Sequence, residues 1–503
     1  MTSRNTTARE TKMQINPRYM RIEKQLVEGK EYYWIACLIV TTLGLALGLG
    51  LGLGLKSSSS TPVNNSPFTT EILVTNAVGA MISIPKDWCN QKWCTKLASI
   101  NSKLISVAHM GDSTTSGYCV DSIPFQSWSS RQQQGFISNG YPDAGAGLMN
   151  CNYGNYLDVF QDGCEFPDGR TNTQILGKWG SFFGKGSSVE IGYLQAQVNP
   201  CIGLTWSIDN INWYTLAIPV SPYTTQYRSY FVTIQSSSVK PYAFNISNPN
   251  YLTCSIIIPW IRSTTSGGGG GIVFDNWGYP GQAGGATTYP TTLAIGSSLK
   301  PDLLIWSFGI WDLYFASCNP NGMQTAATSY LAALDAVIAG IGIASLDVII
   351  DIPNIGTIIC NDNMTLYYTY WAPIILAYAK SHGYVYIDQS IIYSSNTTLG
   401  NWQSFQNVLG WADDCNGASG PSNIHANTIG YELYTDHSLY VLSATKFGTL
   451  PNKTTYLQSG PLVSNDYYSC PFICSSQTSS FNAVDLCASV GGSYSTGAPG
   501  YGC

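Results

Sequence analysis

The hydrophobic pattern of the chain changes at residue 271. Beyond this point, short continuous apolar runs such as "GIVFDNWG", "DLLIWSFG", "LDVIIDIP" and "YVYID" alternate with longer helix-like segments such as "NGMQTAATSYLAALDAVIAGI". Continuous apolar runs of this length are typical of strands buried on both faces, and strands that alternate with helices predict a parallel sheet covered by helices on both sides. The earlier run "KLISVAHM" has the same character, and we predict that it belongs to the same sheet.

Residues 151–271 show a different pattern. Short β-like runs, among them "LTWSI", "WYTLAIPV", "YRSYFVTIQ" and "LTCSIIIPW", are separated by Pro, Asn, Ser and Gly, and the segment contains no long amphipathic pattern. This arrangement predicts a β-sandwich inserted into the α/β domain. Its aromatic residues, such as Trp206, Trp213 and Tyr214, have two interpretations: they fill the sandwich core, or they stack on sugar rings.

The N-terminal part of the sequence carries a membrane signal. Residues 32–55 form an uncharged apolar run of 24 residues, which is long enough to cross a bilayer as a helix. Seven Lys or Arg precede it, so the positive-inside rule places the N-terminus in the cytoplasm and the remaining chain outside, on a cell or virion surface. A cleaved signal peptide is the alternative interpretation. Gly44, Gly48 and Gly52 have the spacing of a helix homodimer motif, although Leu-Gly filler gives the same pattern.

These patterns predict the domain organisation. The segments are a cytoplasmic tail (1–31), a transmembrane helix (32–55), a Ser/Thr/Pro-rich stalk (56–72), the first part of the α/β domain (73–150), the inserted β-rich domain (151–271), the second part of the α/β domain (272–450) and a Cys-rich tail (451–503). The predicted protein is therefore an α/β ectodomain with a single-pass N-terminal anchor.

Composition narrows the possible partners. Charged residues make up only 10% of the chain, the formal net charge is −6, and no basic block lies outside the N-terminus, which argues against nucleic acid as a partner. All but one of the 15 Cys follow the apolar run, as expected for disulfides in an oxidising compartment, and "KDWCNQKWC" predicts a small loop closed by Cys89 and Cys94. No Cys or His cluster has the spacing of zinc ligands, so we expect neither a metal nor another cofactor. The sequons predict glycosylation at Asn64, Asn245, Asn363, Asn396 and Asn452.

Four segments that lie far apart in the sequence are predicted to meet at one edge of the α/β sheet. Ser113 in "VAHMGDSTTSGY" follows the first strand, Gly281 in "NWGYPGQAG" follows the second, Trp311 in "FGIWDL" follows the third, and His425 precedes a late helix-like segment. Reactive groups of open α/β sheets gather at the carboxyl ends of the strands, so these residues are candidates for one site. A serine hydroxyl needs a neighbouring imidazole to take its proton, which suits the combination of Ser113 and His425.

The order of these blocks resembles the SGNH, or GDSL-type, hydrolase family, from "GDST" through "NWGYPGQAG" and "GIWD" to "SNIHANTIG". The resemblance covers residues 104–142 and 272–442, and it implies a flavodoxin-like α/β fold and ester hydrolysis. By this resemblance Ser113 is the nucleophile and an oxyanion donor through its own N–H, Gly281 is the second donor, and His425 is the general base. A β-domain between the first two blocks is also similar to bacterial O-acetylesterases of peptidoglycan or other polysaccharides, in which the insert binds carbohydrate.

Two positions depart from the family's pattern. The third oxyanion donor of the family is an Asn side chain, whereas position 311 here is Trp, whose indole N–H is an alternative donor. The family's Asp three residues before the histidine is replaced by Ser422, and Asp413 and Asp414 are upstream candidates for orienting the imidazole. Loss of one oxyanion donor costs about 10²–10³ in rate, and loss of the orienting carboxylate costs about 10⁴.

Two functions from different classes therefore fit the sequence. The first is a membrane-anchored extracellular serine esterase that hydrolyses small acyl esters, such as O-acetyl groups on a glycan. The second is a surface glycoprotein that kept the SGNH fold, lost catalysis and has a glycan-binding or structural role. The distance between Ser113 and His425 discriminates between them, because proton transfer requires hydrogen-bond contact.

Overall fold

The computed structural model describes residues 70–75, 79–90, 92–117, 127–149, 179–194, 201–209, 211–219, 228–234, 241–250, 253–254, 256–265, 269–279, 281–284, 296–353, 364–393, 425–426, 428–444 and 446. The predictions for the cytoplasmic tail, for the transmembrane helix with Gly44, Gly48 and Gly52, for most of the stalk and for the Cys-rich tail concern residues outside these ranges. In the part of the chain that is described, no helix combines the length and the apolar character needed to span a bilayer.

The secondary structure consists of strands and helices whose bounds are as follows. The strands are β1 (Ile72–Thr75), β2 (Ala80–Ile84), β3 (Leu104–Gly111), β4 (Gly147–Met149), β5 (Trp179–Lys185), β6 (Ser188–Leu194), β7 (Thr205–Ser207), β8 (Tyr214–Thr215), β9 (Arg228–Thr233), β10 (Pro241–Ser247), β11 (Ile257–Thr264), β12 (Gly271–Gly278), β13 (Leu303–Ser307), β14 (Asp347–Ile352) and β15 (Val385–Asp388). The helices are α1 (Trp93–Leu97), α2 (Ser113–Ser116), α3 (Trp128–Ser138), α4 (Ile310–Tyr314), α5 (Pro320–Ile341), α6 (Met364–Leu366), α7 (Ala372–His382), α8 (Gln389–Tyr393) and α9 (Thr428–Leu442), with a π-helical segment (Tyr367–Trp371) between α6 and α7.

The α/β part is built around a seven-stranded sheet with the order β1-β2-β15-β14-β13-β3-β12. The strands from β15 to β12 pair in parallel, whereas β1 and β2 form an antiparallel extension at one edge. Taken in chain order, the parallel strands have the 2-1-3-4-5 arrangement of flavodoxin-like sheets, so the order reverses between β3 and β13. Ligands of such sheets bind beyond the carboxyl ends of the strands at the reversal point, and β3 leads directly into Ser113.

The apolar runs form the predicted central strands. Every residue of β12, β13 and β14 is buried, as is β3 after its first residue, because helices cover both faces of the parallel sheet. The long helix α5 also confirms its prediction. It begins at Pro320 after Asn319, whose side chain accepts the Gly322 N–H at 2.9 Å, and it ends at Gly342 with φ +68°.

The segment "TLYYTYWAPIILAYAKSH" is helical but not a uniform α-helix. Its first half widens into the π-helical segment at Tyr367–Trp371, directly before α7. Pro373 supplies the physical reason, because it has no N–H to donate one turn back and its ring crowds the carbonyl group there.

The inserted segment forms two four-stranded antiparallel sheets with the orders β5-β10-β7-β8 and β4-β11-β6-β9. Both sheets contribute to one apolar core, which includes Phe244 and Ile246 from the first and Val189, Ile191 and Ile261 from the second. The inserted segment therefore forms a β-sandwich. Strand β4 already belongs to the sandwich, although it lies in the stretch assigned to the α/β domain, and Gly271 is the first residue of β12.

Two disulfides are present among the described residues. Cys89 is bonded to Cys94, as the sequence predicts, and Cys201 is bonded to Cys254 within the sandwich. Cys318 is also disulfide-bonded.

A buried ion pair joins the sandwich to the α/β sheet. Arg262 of β11 donates from Nε and Nη2 to the two carboxylate oxygens of Asp275 in β12, at 2.8 and 3.0 Å. The same guanidinium donates to Ser106 Oγ at 3.0 Å, and the Leu148 N–H donates to Asp275 Oδ1 at 2.8 Å. β12 is the last strand of the large sheet, and its outer side is bonded to the segment before β4, where the Ala144 N–H donates to the Ile272 carbonyl at 3.1 Å and the Ile272 N–H donates to the Pro142 carbonyl at 2.9 Å.

The aromatic residues of the sandwich divide between core and surface. Trp206 is half-buried and stacks on Phe244 and Tyr214, with ring centroids 5.6 and 4.9 Å apart. Trp213 and Tyr214 are 42% and 52% exposed. Trp206 therefore belongs largely to the core, whereas the rings of Trp213 and Tyr214 are accessible from solvent.

Candidate active site

Ser113 lies at a sharp strand-to-helix turn. Strand β3 ends at Gly111, Asp112 caps the short helix α2 by accepting the Thr114 N–H at 2.9 Å, and Ser113 is the first helical residue. The helix stops after one turn at Gly117, which has φ +85°. Ser113 therefore stands beyond the carboxyl end of the central strand and is only 4% exposed.

Two glycines permit the tight packing around this turn. A Cβ at Gly111 would lie 2.5 Å from the Ser307 carbonyl oxygen, and a Cβ at Gly278 would lie 2.1 Å from the Ser116 backbone nitrogen. The Tyr279 N–H donates to the Gly111 carbonyl at 2.7 Å. The helix that carries Ser113 is thus pressed against the ends of its two neighbouring strands at positions where no side chain fits.

The structure brings His425 to Ser113 from 312 residues away. Its Nε2 lies 2.8 Å from Ser113 Oγ, which is hydrogen-bond distance. When Nδ1 carries the ring hydrogen, the hydroxyl donates to Nε2, which is the geometry that a general base requires. The two residues predicted to form the reactive pair are therefore in contact.

Helix α9, which begins three residues after His425, is fixed by polar contacts that the sequence analysis did not identify. Arg131 of α3 and Glu432 form a buried ion pair at 2.8 Å. Ser438 donates to Asp351 at 2.7 Å, and His437 Nδ1 lies 2.7 Å from Gln389 Oε1. The sequence offers one signal for these contacts, which is the presence of polar residues within a helix that is otherwise largely apolar.

The other histidines of the α/β core have structural roles. His109 is fully buried in β3, with Nδ1 3.1 Å from Gln132 Oε1 and Nε2 2.9 Å from Ser307 Oγ. Burial lowers the pKa of both His109 and His437 to about 3, since the charged imidazolium is penalised away from water. Both rings are therefore neutral at physiological pH.

Gly281 occupies an exposed turn at the end of β12. Its φ is +76°, and a Cβ there would have no protein atom within 4 Å. The requirement for glycine therefore comes from the left-handed backbone rather than from crowding inside the protein. The turn is anchored at its far end, where the Gly284 N–H donates to Asp312 Oδ2 of α4 at 2.8 Å.

Trp311 lies on α4, which follows β13, the neighbour of β3 at the reversal point of the sheet. Its ring is half-buried, and its Nε1 is buried without a hydrogen-bond partner among the described residues. A buried indole N–H normally has a partner, so this donor remains available. Asp312 next to it accepts the hydrogen bond from the Gly284 N–H.

The carboxyl group of Asp112, which directly precedes Ser113, has a raised pKa. Burial raises its pKa to about 7, the hydrogen bond from Thr114 opposes this rise, and repulsion from Asp312 adds to it. A fixed negative charge beside an oxyanion would oppose its formation. At pH values below about 7 the protonated carboxyl avoids this repulsion.

Several predicted site residues lie outside the described residues. These are Ser422, Asp413 and Asp414 as orienters of His425, and the sequons at Asn64, Asn363, Asn396 and Asn452. The glycosylation prediction at Asn245 conflicts with the fold, because this side chain is 3% exposed in β10, between β5 and β7. Within the described ranges, no group of three His, Cys, Asp or Glu side chains is arranged to hold a metal ion.

Comparison with known proteins gives only distant likenesses. No protein-family model and no curated protein matches the sequence. Among solved structures, a peptidoglycan O-acetylesterase is 14% identical, with a TM-score of 0.44 and coverage of 70% of this chain and 96% of that one. A family two carbohydrate esterase from Clostridium thermocellum is 9% identical, with a TM-score of 0.24 and coverage of 55% and 95%. An acetyl xylan esterase from Butyrivibrio proteoclasticus is 8% identical, with a TM-score of 0.19 and coverage of 46% and 90%.

Proposed function

We propose that this protein is a serine ester hydrolase in which Ser113 is the nucleophile and His425 is the general base. The observation that carries the proposal is the 2.8 Å contact between Ser113 Oγ and His425 Nε2 at the reversal point of the sheet. A degenerate site would have no need to keep this pair in hydrogen-bond contact.

In the first half of the reaction, Ser113 Oγ attacks the ester carbonyl carbon while its proton passes to His425 Nε2. The carbonyl π electrons move to oxygen, which becomes the oxyanion of a tetrahedral intermediate. The backbone N–H groups of Ser113 and Gly281, together with the indole N–H of Trp311, are the proposed donors to this oxygen. When the intermediate collapses, the alcohol leaves with the proton from His425, and the acyl group stays on Ser113.

In the second half, water replaces the alcohol. His425 Nε2 takes a proton from water as the water oxygen attacks the acyl carbon, and collapse returns that proton to Ser113 Oγ and releases the acid. The proposed orienting partner of the imidazole is Ser422, Asp413 or Asp414, or a backbone carbonyl.

The proposed substrate is a small acyl ester, such as an O-acetyl group on a glycan. This part of the proposal follows from the resemblance of the sequence blocks and the intervening β-domain to polysaccharide O-acetylesterases. We also propose that residues 32–55 anchor the protein in a membrane with the hydrolase domain outside, since basic residues precede the apolar run.

The test uses a fluorophosphonate probe together with hydrolysis of ethyl acetate in a pH-stat. We expect labelling at Ser113, and a loss of hydrolysis of about 10⁴-fold or more in both Ser113→Ala and His425→Ala. Ser381→Ala and His382→Ala are matched controls, because both residues are exposed at the end of α7 and lie outside the proposed site. If the folded wild-type protein is neither labelled nor active, or if all four variants are equally active, the proposal is wrong.

A further inference from the structure

Helix α4 presents an exposed aromatic cluster at the edge of the sheet that carries the Ser113–His425 pair. We call Trp311, Tyr314 and Phe315 the aromatic platform. Tyr314 is 49% exposed and Phe315 is 69% exposed, whereas Trp311 is half-buried and packs against the main core. The ring centroids lie 5.3 Å apart for Trp311 and Tyr314, 5.3 Å for Tyr314 and Phe315, and 6.0 Å for Trp311 and Phe315.

The topology places the platform beside the nucleophile. Ser307 at the end of β13 is in register with Gly111 at the end of β3, so α4 and α2 begin at the same level on adjacent strands. Asp312 of α4 holds Gly284 in the turn that contains Gly281, and it repels Asp112 next to Ser113. One short helix therefore links the platform, the proposed oxyanion turn and the strand that leads to the nucleophile.

Tyr314 and Phe315 together form a contiguous exposed aromatic surface. Contiguous apolar surface on a soluble domain is frequently functional, and each aromatic side chain contributes roughly 150–250 Å² when it is buried. A pyranose ring has a flat face of C–H groups that can cover such rings while its hydroxyls stay in water at the rim. A methyl-sized acyl group, in contrast, is too small to cover three rings.

The charge of the surrounding segments selects among carbohydrates. The stretches that form this edge, residues 104–117, 271–284 and 303–323, contain no Lys or Arg, and α4 itself carries Asp312. A carboxylated or phosphorylated glycan would meet Asp312 here, and these three stretches offer it no Lys or Arg to pair with.

We propose that the aromatic platform is a subsite for a neutral sugar ring, the ring that carries or adjoins the ester cleaved at Ser113. This inference rests on the proposed function and adds the substrate class, a neutral acylated polysaccharide, and the residues that select it. The sugar stacks on Tyr314 and Phe315, and Trp311 forms the boundary between the sugar and the reacting carbonyl group.

The test measures binding in the Ser113→Ala background, so that it does not depend on turnover. Isothermal titration is performed with an O-acetylated xylo-oligosaccharide, which is neutral, and with an O-acetylated oligogalacturonate, which is anionic. We expect the neutral ligand to bind more tightly, and the Tyr314→Ala/Phe315→Ala double variant to raise its Kd about tenfold. Phe315→Tyr, which keeps a ring, should retain binding. Phe231→Ala is the matched control, because Phe231 is a 63% exposed aromatic residue on the edge strand β9 of the sandwich.

The outcomes separate this inference from the proposed function. Three outcomes would overturn the proposed role of the platform. These are equal Kd values in the double variant and its parent, tighter binding of the anionic ligand, and no binding of the neutral ligand. If the platform binds but wild-type protein hydrolyses no ester, the subsite stands and the hydrolase proposal fails. If ethyl acetate is cleaved but the double variant still binds as its parent does, the hydrolase proposal stands and the platform fails.

Discussion

The carboxyl edge of the α/β sheet and the inserted sandwich differ in the kinds of side chain that they bury and expose. At the sheet edge, His109, Asp112, Ser113, Asp351 and His437 are all below 5% exposed. The sandwich core consists mainly of Ile, Val, Phe and Tyr side chains around a disulfide, and Ile211, Trp213 and Phe231 of the sandwich are exposed. Burial of polar groups costs free energy unless they are hydrogen-bonded. The sheet edge therefore carries a larger cost in folding stability than an apolar core would, and it is also where the proposed catalytic residues lie.

The largest loss of folding stability is expected at the contact between the sandwich and the α/β sheet. Arg262→Met leaves the buried Asp275 carboxylate without its cation, and we expect the free energy of unfolding to fall by about 3–5 kcal/mol. Urea denaturation measures this loss, and two separate transitions would show that the regions have become independent. The control is Lys380→Met, which breaks the exposed Lys380–Glu71 pair and should cost less than about 1 kcal/mol. Equal losses in both variants would contradict the role of the buried pair.

The same comparison explains which features the sequence could predict. The buried strands and α5 follow from apolar periodicity and from cap residues, and Ser113 and His425 follow from ordered motifs. The ion pair of Arg262 with Asp275 and the contact of Ser438 with Asp351 could not be inferred, because each joins residues whose proximity depends on the completed fold. The left-handed backbone of Gly281 could not be inferred either, because a loop glycine is compatible with many conformations.

Within the sandwich, we expect the Cys201–Cys254 disulfide to make the next largest contribution. It spans 53 residues, so its removal frees a long loop in the unfolded chain and should cost about 2–4 kcal/mol in Cys201→Ser/Cys254→Ser. Cys89→Ser/Cys94→Ser is the matched control, and its loss should be about 2 kcal/mol smaller because the closed loop spans only 5 residues. Denaturant unfolding gives both values. Ethyl acetate hydrolysis should persist in the first variant, and its disappearance would show that the α/β site depends on the sandwich.

The smallest predicted change in folding stability comes from titration of the buried carboxyl groups at the sheet edge. Burial raises the pKa of Asp351 to about 8, hydrogen bonds from Ser438 and Gln389 oppose the rise, and repulsion from Asp388 adds to it. Because the folded state binds this proton more tightly than the unfolded state, where the pKa is 3.8, the stabilisation is complete below pH 3.8 and is lost as the pH rises towards 8. The neutral histidines His109 and His437 act in the opposite direction, since their lowered pKa values reduce stability as the pH falls below 6.5.

Asp351→Asn isolates the carboxyl contribution from that of the histidines. Between pH 6 and pH 7, both inside the window, wild-type protein should lose up to about 1.4 kcal/mol more of its free energy of unfolding than the variant does. Urea unfolding of both proteins at the two pH values gives this difference directly. Parallel pH dependences in the two proteins would mean that Asp351 titrates in the folded state as it does in the unfolded chain. The polar groups at the sheet edge would then be far better solvated than their burial indicates, and the contrast with the sandwich would be one of geometry rather than of electrostatics.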